Sequence, residues 1–393
     1  MSRIVFFCIP AHGHTNPTLN VVRELIRRGH EVWYYSYEIM RSKIEESGAK
    51  FIPCDDFDTQ QHLSPRDAVR VGKDLAFSTK VLVDTTLALD RSILNQIREL
   101  QPDCIVADSM AVWGKAVAMK TGIPFVSSTT TFAFNRYSAK IMKQSPAQLL
   151  GMIFSMGRVQ KDIRRLQAAG YPVKSILDII QNDDTTHTIV YTSPEFQPAS
   201  DTFSPEYYTF VGPSIRPHTC QIEKRREKLI YISMGTVNND LIPLYKNCVS
   251  ALAASSHQVI MSVGELVDLK CFGELPDNVE VHPHVDQIAV LEQADLFISH
   301  CGMNSANESL YFGVPLIMLP QTPEQGGVAA RISQLGAGLL LKKTSPSDIA
   351  AAVDEVLHND SYYKSARSIG DGFRRCPGAT GAADKILSLC KAQ

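Results

Sequence analysis

Two polar segments of the chain carry residue types that could do chemistry, and the first combines a histidine with an acid. Residues 10–17 read PAHGHTNP directly after an apolar run, and Asp108 directly follows a second apolar run. A histidine can serve as a general base near neutral pH, and a carboxylate that holds its other ring nitrogen orients it. His14 and Asp108 are therefore a candidate acid–base pair. A surface or packing role stays open for His14 and is expected for His12.

The second segment, residues 299–325, reads SHCGMNSANESLYFGVPLIMLPQTPEQ and also begins where an apolar run ends. Gly302 and Asn304 are typical of a turn that starts a helix, whose free N–H groups and positive dipole end suit a phosphate. His300 can donate a hydrogen bond to a phosphate oxygen. Glu308, one helical turn after Asn304, can accept hydrogen bonds from a ribose diol. An ordinary strand-to-helix connection is the alternative interpretation.

Another glycine turn that fits a phosphate lies in residues 232–236, which read ISMGT. Neither GxGxxG nor GxxxxGK[ST] occurs, so the dinucleotide fingerprint and the P-loop are both excluded. No DxD pair and no cluster of histidine and cysteine is placed for a metal ion, and we expect that no metal ion is required.

The composition excludes several function classes. The net charge is −2, which gives no basic surface for nucleic acid. The nine cysteines show no CxxC and no regular spacing, which indicates reduced thiols rather than a disulfide framework. The apolar run at residues 4–10 is too short for a signal peptide, and none approaches the ~20 residues of a membrane span. We expect a soluble, cytoplasmic protein without a membrane span.

Short apolar runs alternate with helical periodicity along most of the chain, which predicts βαβ units and doubly wound parallel sheets. At 393 residues the chain suits two domains. We predict an α/β protein with two facing doubly wound, Rossmann-like domains. The predicted parts are an N-terminal domain at 1–212, a proline-rich linker at 213–220, a C-terminal domain at 221–360 and terminal helices at 361–393 that pack back onto the first domain.

The helices and strands are predicted from these patterns. Helices are expected at 17–28, within 64–100, and at 111–120, 241–254, 346–357 and 360–391. Strands are expected at 4–9, 30–36, 50–53, 104–107, 124–127, 189–192, 207–211, 229–233, 258–262, 279–282, 295–299, 314–319 and 338–341.

The second segment resembles the nucleotide-sugar signature of the UDP-glycosyltransferases. About forty residues match in order and spacing, and the chain is similar to that family end to end, most of all to its bacterial macrolide glycosyltransferase type. The matching positions are His300, Gly302, Asn304, Ser305, Glu308, Gly313, Pro315, Pro320 and Gln325. The resemblance implies two facing domains of the GT-B fold, an acceptor-binding one and a nucleotide-sugar-binding one.

The resemblance also implies roles for residues of the second half. His300, Asn304 and Ser305 would hold the diphosphate, and Thr236 would close over it. Glu308 would hold the ribose, and Glu324 and Gln325 would bind sugar hydroxyls. Val285 and Gln287 lie where the family often has VPQ.

This chain departs from the family pattern at a few positions. Glu324 stands where the family usually has aspartate, which bears on the choice of sugar. His284 takes the place of the aromatic residue that often stacks on uracil, and Asp286 replaces a proline. The preference between uridine and thymidine therefore stays open.

In the first half, the GHxNP pattern of the family supports His14 as the catalytic base, with Asp108 orienting it. Counting along the family pattern places Thr130 or Thr131 on the sugar or phosphate, while simple loop capping is an equal alternative. Apolar and aromatic residues are candidates for the acceptor pocket, of which about half are expected to be core. They are Phe57, Phe77, Met110, Trp113, Phe132 and Phe134.

The expected activity is inverting, metal-independent transfer of a hexose, first of all glucose, from UDP-glucose or another UDP-sugar to a hydroxyl of a small hydrophobic acceptor. No cofactor beyond the donor is expected. Macrolides, flavonoids, other phenols and sterols are all possible acceptors, and the sequence does not indicate an oligomeric state. Two alternatives are a nucleotide-sugar epimerase or phosphorylase and a non-catalytic helper protein.

Overall fold

The computed structural model describes residues 1–55, 70, 74–135, 137–138, 146–175, 178, 185–216, 220–236 and 241–390. The chain divides into two compact units. The first comprises Met1–Tyr191, Ala199–Ser214 and Pro377–Gln393, and the second comprises Thr192–Pro198 and Ile215–Cys376.

The first unit contains a parallel sheet whose strands are the continuous apolar runs of the first half. The sheet has seven strands in the order β3-β2-β1-β4-β5-β6-β7. They are β1 (Arg3–Phe7), β2 (Glu31–Ser36), β3 (Lys50–Pro53), β4 (Cys104–Asp108), β5 (Phe125–Thr129), β6 (Thr188–Val190) and β7 (Tyr208–Phe210). Each strand pairs in parallel with its neighbours.

Helices of the first unit cover both faces of this sheet. They are α1 (His12–Arg27), α2 (Arg41–Glu46), α3 (Leu75–Leu100), α4 (Val112–Thr121), α5 (Pro146–Ala168) and the last helix of the chain, α12 (Gly378–Cys390). Ile4 and Phe6 pack in a core with α1 and α12, whereas Val5 and Phe7 pack in a second core with α3 and α4. Alternate residues of β1 thus face opposite cores, which is why its sequence is apolar throughout.

The second unit repeats this plan with a six-stranded parallel sheet in the order β10-β9-β8-β11-β12-β13. Its strands are β8 (Leu229–Ser233), β9 (Gln258–Ser262), β10 (Val279–His282), β11 (Leu296–Ser299), β12 (Leu316–Met318) and β13 (Gly338–Leu340). Its helices are α6 (Ile242–Leu252), α7 (Gln287–Gln293), α8 (Met303–Tyr311), α9 (Pro323–Gln334), α10 (Pro346–His358) and α11 (Asp360–Arg374). The two parallel sheets confirm the predicted α/β class with two doubly wound, Rossmann-like domains.

Two of the predicted helices differ from the structure by more than two residues at a boundary. The first helix begins at His12, with Ala11 as N-cap, although the pattern placed its start at Pro17. The helical run expected at 360–391 is two helices, α11 and α12, because Pro377 interrupts it.

The division into units also differs from the predicted boundaries at two places. The α11 helix belongs to the second unit, so only Pro377–Gln393 returns to the first. Residues Thr192–Pro198, from the loop after β6, belong to the second unit as well. Arg331 explains this placement, because its guanidinium donates to the carbonyl oxygens of Phe196 at 3.0 Å and Glu195 at 2.8 Å. The Phe196 ring also packs edge-on against Phe373.

None of the helices in the described part of the chain is both long enough and apolar enough to cross a membrane.

Gly114 lets α4 approach the sheet directly behind Asp108. A Cβ atom at this position would lie 2.6 Å from the Ala107 Cβ and 2.9 Å from the Phe7 Cβ. We expect Gly114→Ala to lower the free energy of unfolding by about 1–3 kcal/mol, the usual effect of overpacking a core. Thermal and denaturant unfolding measure this change.

Gly157→Ala is the matched control, because Gly157 is exposed on α5 and a Cβ there would have no neighbour within 4 Å. This variant should be neutral or more stable by up to about 1 kcal/mol. Equal stability of both variants would contradict the close packing of α4.

Candidate functional site

The first candidate site lies where the strand order of the first sheet reverses, between β1 and β4. Ligands of open parallel sheets bind at this point, beyond the carboxyl ends of the strands. His14 follows β1 and lies in the first turn of α1, and Asp108 is the last residue of β4. The topology therefore brings together two residues that are 94 positions apart in the sequence.

His14 and Asp108 form a hydrogen-bonded pair. The His14 Nδ1 lies 2.8 Å from the Asp108 Oδ2, and the Asp108 side chain is fully buried. The backbone N–H of Met110 donates to the other carboxylate oxygen, Asp108 Oδ1, at 2.9 Å. A carboxylate acceptor at Nδ1 favours the tautomer that carries its proton there, which makes Nε2 the basic nitrogen. The pair therefore has the geometry of a general base with an orienting carboxylate.

The threonines after β5 differ in what they contact. The Thr130 Oγ1 lies 3.1 Å from the His14 Nδ1, and Thr130 is buried. Thr131 is half-buried and donates to the carbonyl oxygen of Phe132 at 3.4 Å. His12 is half-buried, and its Nδ1 lies 3.3 Å from the Lys43 Nζ.

The residues predicted for the acceptor pocket separate into buried and exposed side chains. Trp113 and Phe132 are buried, and Phe77 is half-buried. Met110 and Phe134 are exposed, at 44% and 41%. Phe57 lies outside the described residues.

The second candidate site lies at the corresponding point of the second sheet, between β8 and β11. Gly235 follows β8, and His300 and Gly302 follow β11. The His300 ring occupies the space beside both glycines, since a Cβ added at either would lie 2.6 Å from its Nε2. Gly235 also has a φ of 83°, which a residue with a side chain rarely adopts.

Burial lowers the pKa of His300 to about 4. The imidazole is therefore neutral near pH 7, and it can offer a hydrogen bond but no positive charge. Within the described part of the chain its Nδ1 is buried and has no hydrogen-bond partner. A buried polar atom of this kind normally has a partner in the functional state, which is consistent with a ligand at this position.

The α8 helix starts directly after this histidine and presents its N-terminus to the same place. Gly302 is the N-cap and provides no capping side chain, and Asn304 and Ser305 lie in the first turn. The preceding residue, Cys301, is buried and has a φ of 63°. Such a strained conformation is typical of functional turns. The backbone N–H groups of the first turn and the helix dipole can bind an anion.

Glu308 lies one turn further along α8 and is part of a hydrogen-bond chain. The Gln287 Nε2 donates to the Glu308 Oε2 and, at 3.2 Å, to the Ser305 Oγ. The Tyr231 hydroxyl donates to the Gln287 Oε1 at 3.3 Å. Burial raises the pKa of Glu308 to about 7, and the hydrogen bond from Gln287 opposes this rise. The chain orients a carboxylate whose charge is sensitive to pH near neutrality.

Gln325 has a structural contact that the sequence-based assignment did not foresee. Thr322 is the N-cap of α9 and forms a capping box with Gln325, whose Oε1 accepts from the Thr322 and Gln321 backbone N–H groups. The spacing Thr-x-x-Gln in TPEQ is the sequence signal for this motif. Glu324 lies in the first turn of the same helix and is half-buried.

The remaining predicted donor residues lie closer to the surface. Thr236 and His284 are exposed, and Val285 is half-buried. Asp286, where the family often has proline, is the N-cap of α7 and pairs with Arg216 at 2.7 Å. Since α7 contributes Gln287, this cap helps to fix the residue that contacts Glu308.

Comparison with known proteins gives consistent results. Residues 246–389 match the family model "Erythromycin biosynthesis protein CIII-like, C-terminal domain". The chain is 31% identical to the uncharacterized UDP-glucosyltransferase YdhE of Bacillus subtilis, covering 100% of this chain and 99% of that protein. It is also 31% identical to the NDP-glycosyltransferase YjiC of Bacillus subtilis, with 98% and 96% covered.

A solved glycosyltransferase structure is also similar to this chain. The glycotransferase of kitacinnamycin superposes with a TM-score of 0.83 at 27% identity, covering 99% of this chain and 98% of that chain. The chain belongs to the UDP-glycosyltransferase family with the GT-B fold.

Membership of this family makes the chain a glycosyltransferase, which uses a nucleotide sugar as donor and a small molecule as acceptor. None of these comparisons supports the alternatives of an epimerase, a phosphorylase or a helper protein.

The packing of His300 against two glycines generates a prediction about ligand binding. Gly302→Ala places a Cβ 2.6 Å from the His300 Nε2, so the ring must move away from the N-terminus of α8. We expect UDP to bind at least about tenfold more weakly, the cost of roughly one hydrogen bond to a charged group. Isothermal titration calorimetry measures this affinity.

Gly327→Ala is a suitable control, because Gly327 lies inside α9 and a Cβ there would have no neighbour within 4 Å. Its affinity for UDP should equal that of the parent. Unchanged UDP affinity in Gly302→Ala would show that the position of the His300 ring does not matter for the nucleotide.

Proposed function

We propose that the protein transfers a hexose, first of all glucose, from a UDP-sugar to a hydroxyl of a small hydrophobic acceptor, with inversion at the anomeric carbon. The observation that carries this proposal is the 2.8 Å contact between His14 and the buried Asp108. Transfer to an alcohol needs a base because a neutral hydroxyl is a weak nucleophile, and this pair is arranged as one.

The donor residues of the proposal belong to the second unit. The N-terminus of α8, with Asn304 and Ser305, and the neutral His300 would bind the diphosphate, and Thr236 would close over it. Glu308 would accept hydrogen bonds from the ribose hydroxyls. The residues proposed to contact the nucleobase and the sugar of the donor are His284, Val285, Gln287, Glu324 and Gln325. Because the side-chain oxygen of Gln325 already serves the capping box, its amide nitrogen is the group left for a sugar hydroxyl.

The proposed chemistry is a direct displacement. His14 Nε2 takes the proton of the acceptor hydroxyl while its oxygen attacks the anomeric carbon, and the diphosphate leaves from the opposite face. The transition state resembles an oxocarbenium ion, as in glycoside hydrolysis. The helix N-terminus and the His300 N–H group stabilise the charge on the departing diphosphate. These groups stabilise the charge of the leaving diphosphate without a metal ion. We therefore propose a metal-independent transfer, and a chelator should not change its rate.

The acceptor is proposed to be apolar and aromatic or macrocyclic, such as a macrolide, a flavonoid or another phenol. Met110 lies two residues after Asp108, and Phe134 follows Thr130 by four positions. Both expose apolar side chains close in sequence to the acid–base pair, so they are the favoured acceptor contacts. The buried Trp113 and Phe132 are better explained as core.

The base assignment predicts that His14→Ala lowers turnover by about 10²–10⁴-fold, the usual contribution of a general base. Affinity for UDP should stay normal, because the donor residues lie in the second unit. Asp108→Asn should also lower turnover with normal UDP affinity, because the amide no longer favours the proton on Nδ1. Product formation by mass spectrometry and UDP calorimetry separate the two effects.

The matched control is His12→Ala, which removes a histidine two residues away whose Nδ1 lies near Lys43 instead of Asp108. Its turnover should remain within about twofold of the parent. Full turnover in His14→Ala would refute the base assignment and leave the family assignment intact.

The ribose assignment predicts a pH dependence of donor binding. The raised pKa of Glu308 means that part of the free protein carries a neutral carboxyl below about pH 7. Since ribose hydroxyls bind better to the carboxylate, affinity for UDP-glucose should rise with pH through about 7 and level off above that value. UDP-glucose is the appropriate probe because its diphosphate, unlike the terminal phosphate of UDP, does not titrate near neutrality.

Calorimetry from about pH 5.5 to 8.5 with the parent and Glu308→Gln tests this expectation. The variant should bind at least about tenfold more weakly at pH 8 and lose the pH dependence, because it has no carboxylate. Persistence of the same pH profile in Glu308→Gln would assign the titration to another group.

A further inference from the structure

Thr130 lies against the acid–base pair rather than apart from it. It directly follows β5, the strand next to β4, and it is 3% exposed. Its Oγ1 lies 3.1 Å from the His14 Nδ1, the same nitrogen that Asp108 contacts at 2.8 Å. Family resemblance places Thr130 or Thr131 on the sugar or phosphate, and this contact indicates another role for Thr130.

The geometry at Nδ1 restricts the possible proton arrangement. A neutral imidazole has one N–H group, and the ionised Asp108 is only an acceptor, so the proton lies on Nδ1. Thr130 Oγ1 is then a second acceptor of the same N–H group, and its own hydroxyl proton points elsewhere. Two acceptors from different segments of the chain fix the plane of the ring more firmly than one, because a single hydrogen bond permits rotation about its axis.

The carboxylate that shares this N–H group is itself held in place. The backbone N–H of Met110 donates to the Asp108 Oδ1, which leaves Oδ2 to face His14. Neither acceptor can move without disturbing buried structure, since Thr130 and Asp108 are both buried at the ends of neighbouring strands. The ring orientation therefore depends on the last residue of β4 and the first residue after β5 together.

We propose that Thr130 is a positioning residue, which shares the His14 Nδ1–H with Asp108 and thereby directs Nε2 toward the acceptor hydroxyl. This inference rests on the proposed role of His14 as base. Thr130 also stabilises the imidazolium that forms when Nε2 takes the proton, because that cation donates more strongly through Nδ1.

The test replaces the hydroxyl by a methyl group in Thr130→Val and measures kcat, the KM for UDP-glucose and the pH profile of kcat/KM. We expect kcat to fall about two- to tenfold, the usual effect of one hydrogen bond, with the donor KM unchanged within about twofold. The acid limb of the profile should move to lower pH, because the protonated imidazole loses an acceptor. Thr130→Ser should restore kcat and the limb, because it restores the hydroxyl.

Thr129→Val is the matched control, because it removes the adjacent buried hydroxyl. Within the described part of the chain that hydroxyl has no hydrogen-bond partner. The Thr129→Val variant should leave kcat and the pH profile unchanged. If thermal unfolding shows that Thr130→Val is not folded, Thr130→Ala provides the same readouts.

Three outcomes would overturn the proposal. The first is an unchanged kcat and pH profile in Thr130→Val, and the second is an equal loss in Thr129→Val. The third is a raised donor KM with normal kcat, which would mark Thr130 as a donor contact. His14→Ala is measured alongside, and if it retains turnover the base assignment itself fails. A loss in His14→Ala with a normal Thr130→Val rejects only the role of Thr130.

Discussion

The reversal of strand order in the middle of each parallel sheet is the constraint on which the rest of the structure depends. All carboxyl ends of a parallel sheet lie on one edge. Where the strand order reverses, the connections diverge to opposite faces and leave an opening at that edge. In the first sheet this opening lies between β1 and β4 and brings His14 to Asp108. In the second it lies between β8 and β11 and brings Gly235 to His300. Neither pair could form from local sequence, because each joins segments that only the sheet makes neighbours.

Burial at these openings sets the charge of the functional groups. Desolvation disfavours any ionised form, so it lowers the pKa of His300 and raises that of Glu308. The same cause therefore leaves a neutral donor beside the proposed diphosphate and a carboxylate that is easily protonated beside the proposed ribose. Asp108 is also buried, and it accepts hydrogen bonds at both oxygens, from His14 and from the Met110 backbone. Hydrogen bonds to a carboxylate compensate the cost of its burial, as they do in catalytic triads.

The sequence predicts the fold well where apolar runs are bounded by turn residues, and less well where a contact is not local. The bounds of β3, β8, β9 and β10 agree with the predicted ones because each is a short run between such residues. The pattern does not predict the start of α1 at His12, because Gly13 and Pro17 are poor helix residues. The capping box of Gln325 has a local signal, the spacing Thr-x-x-Gln, whereas the family resemblance indicates only a sugar role for this residue. The contacts of Gln287 with Glu308 and of Thr130 with His14 span 21 and 116 positions, and no periodicity reports them.

Close packing is the property that both openings share, and it explains why small residues stand beside the functional ones. The His300 ring has glycines on two sides, and any larger residue at Gly235 or Gly302 would occupy its place. Catalytic electrostatics are most effective when the donors are already oriented, since no energy is then spent on reorganisation during the reaction. The strained φ of Cys301 fits this account, because the turn must place His300 and the first N–H groups of α8 at one point. In the first unit Gly114 serves the same end, because it allows α4 to pack directly behind the strand that carries Asp108.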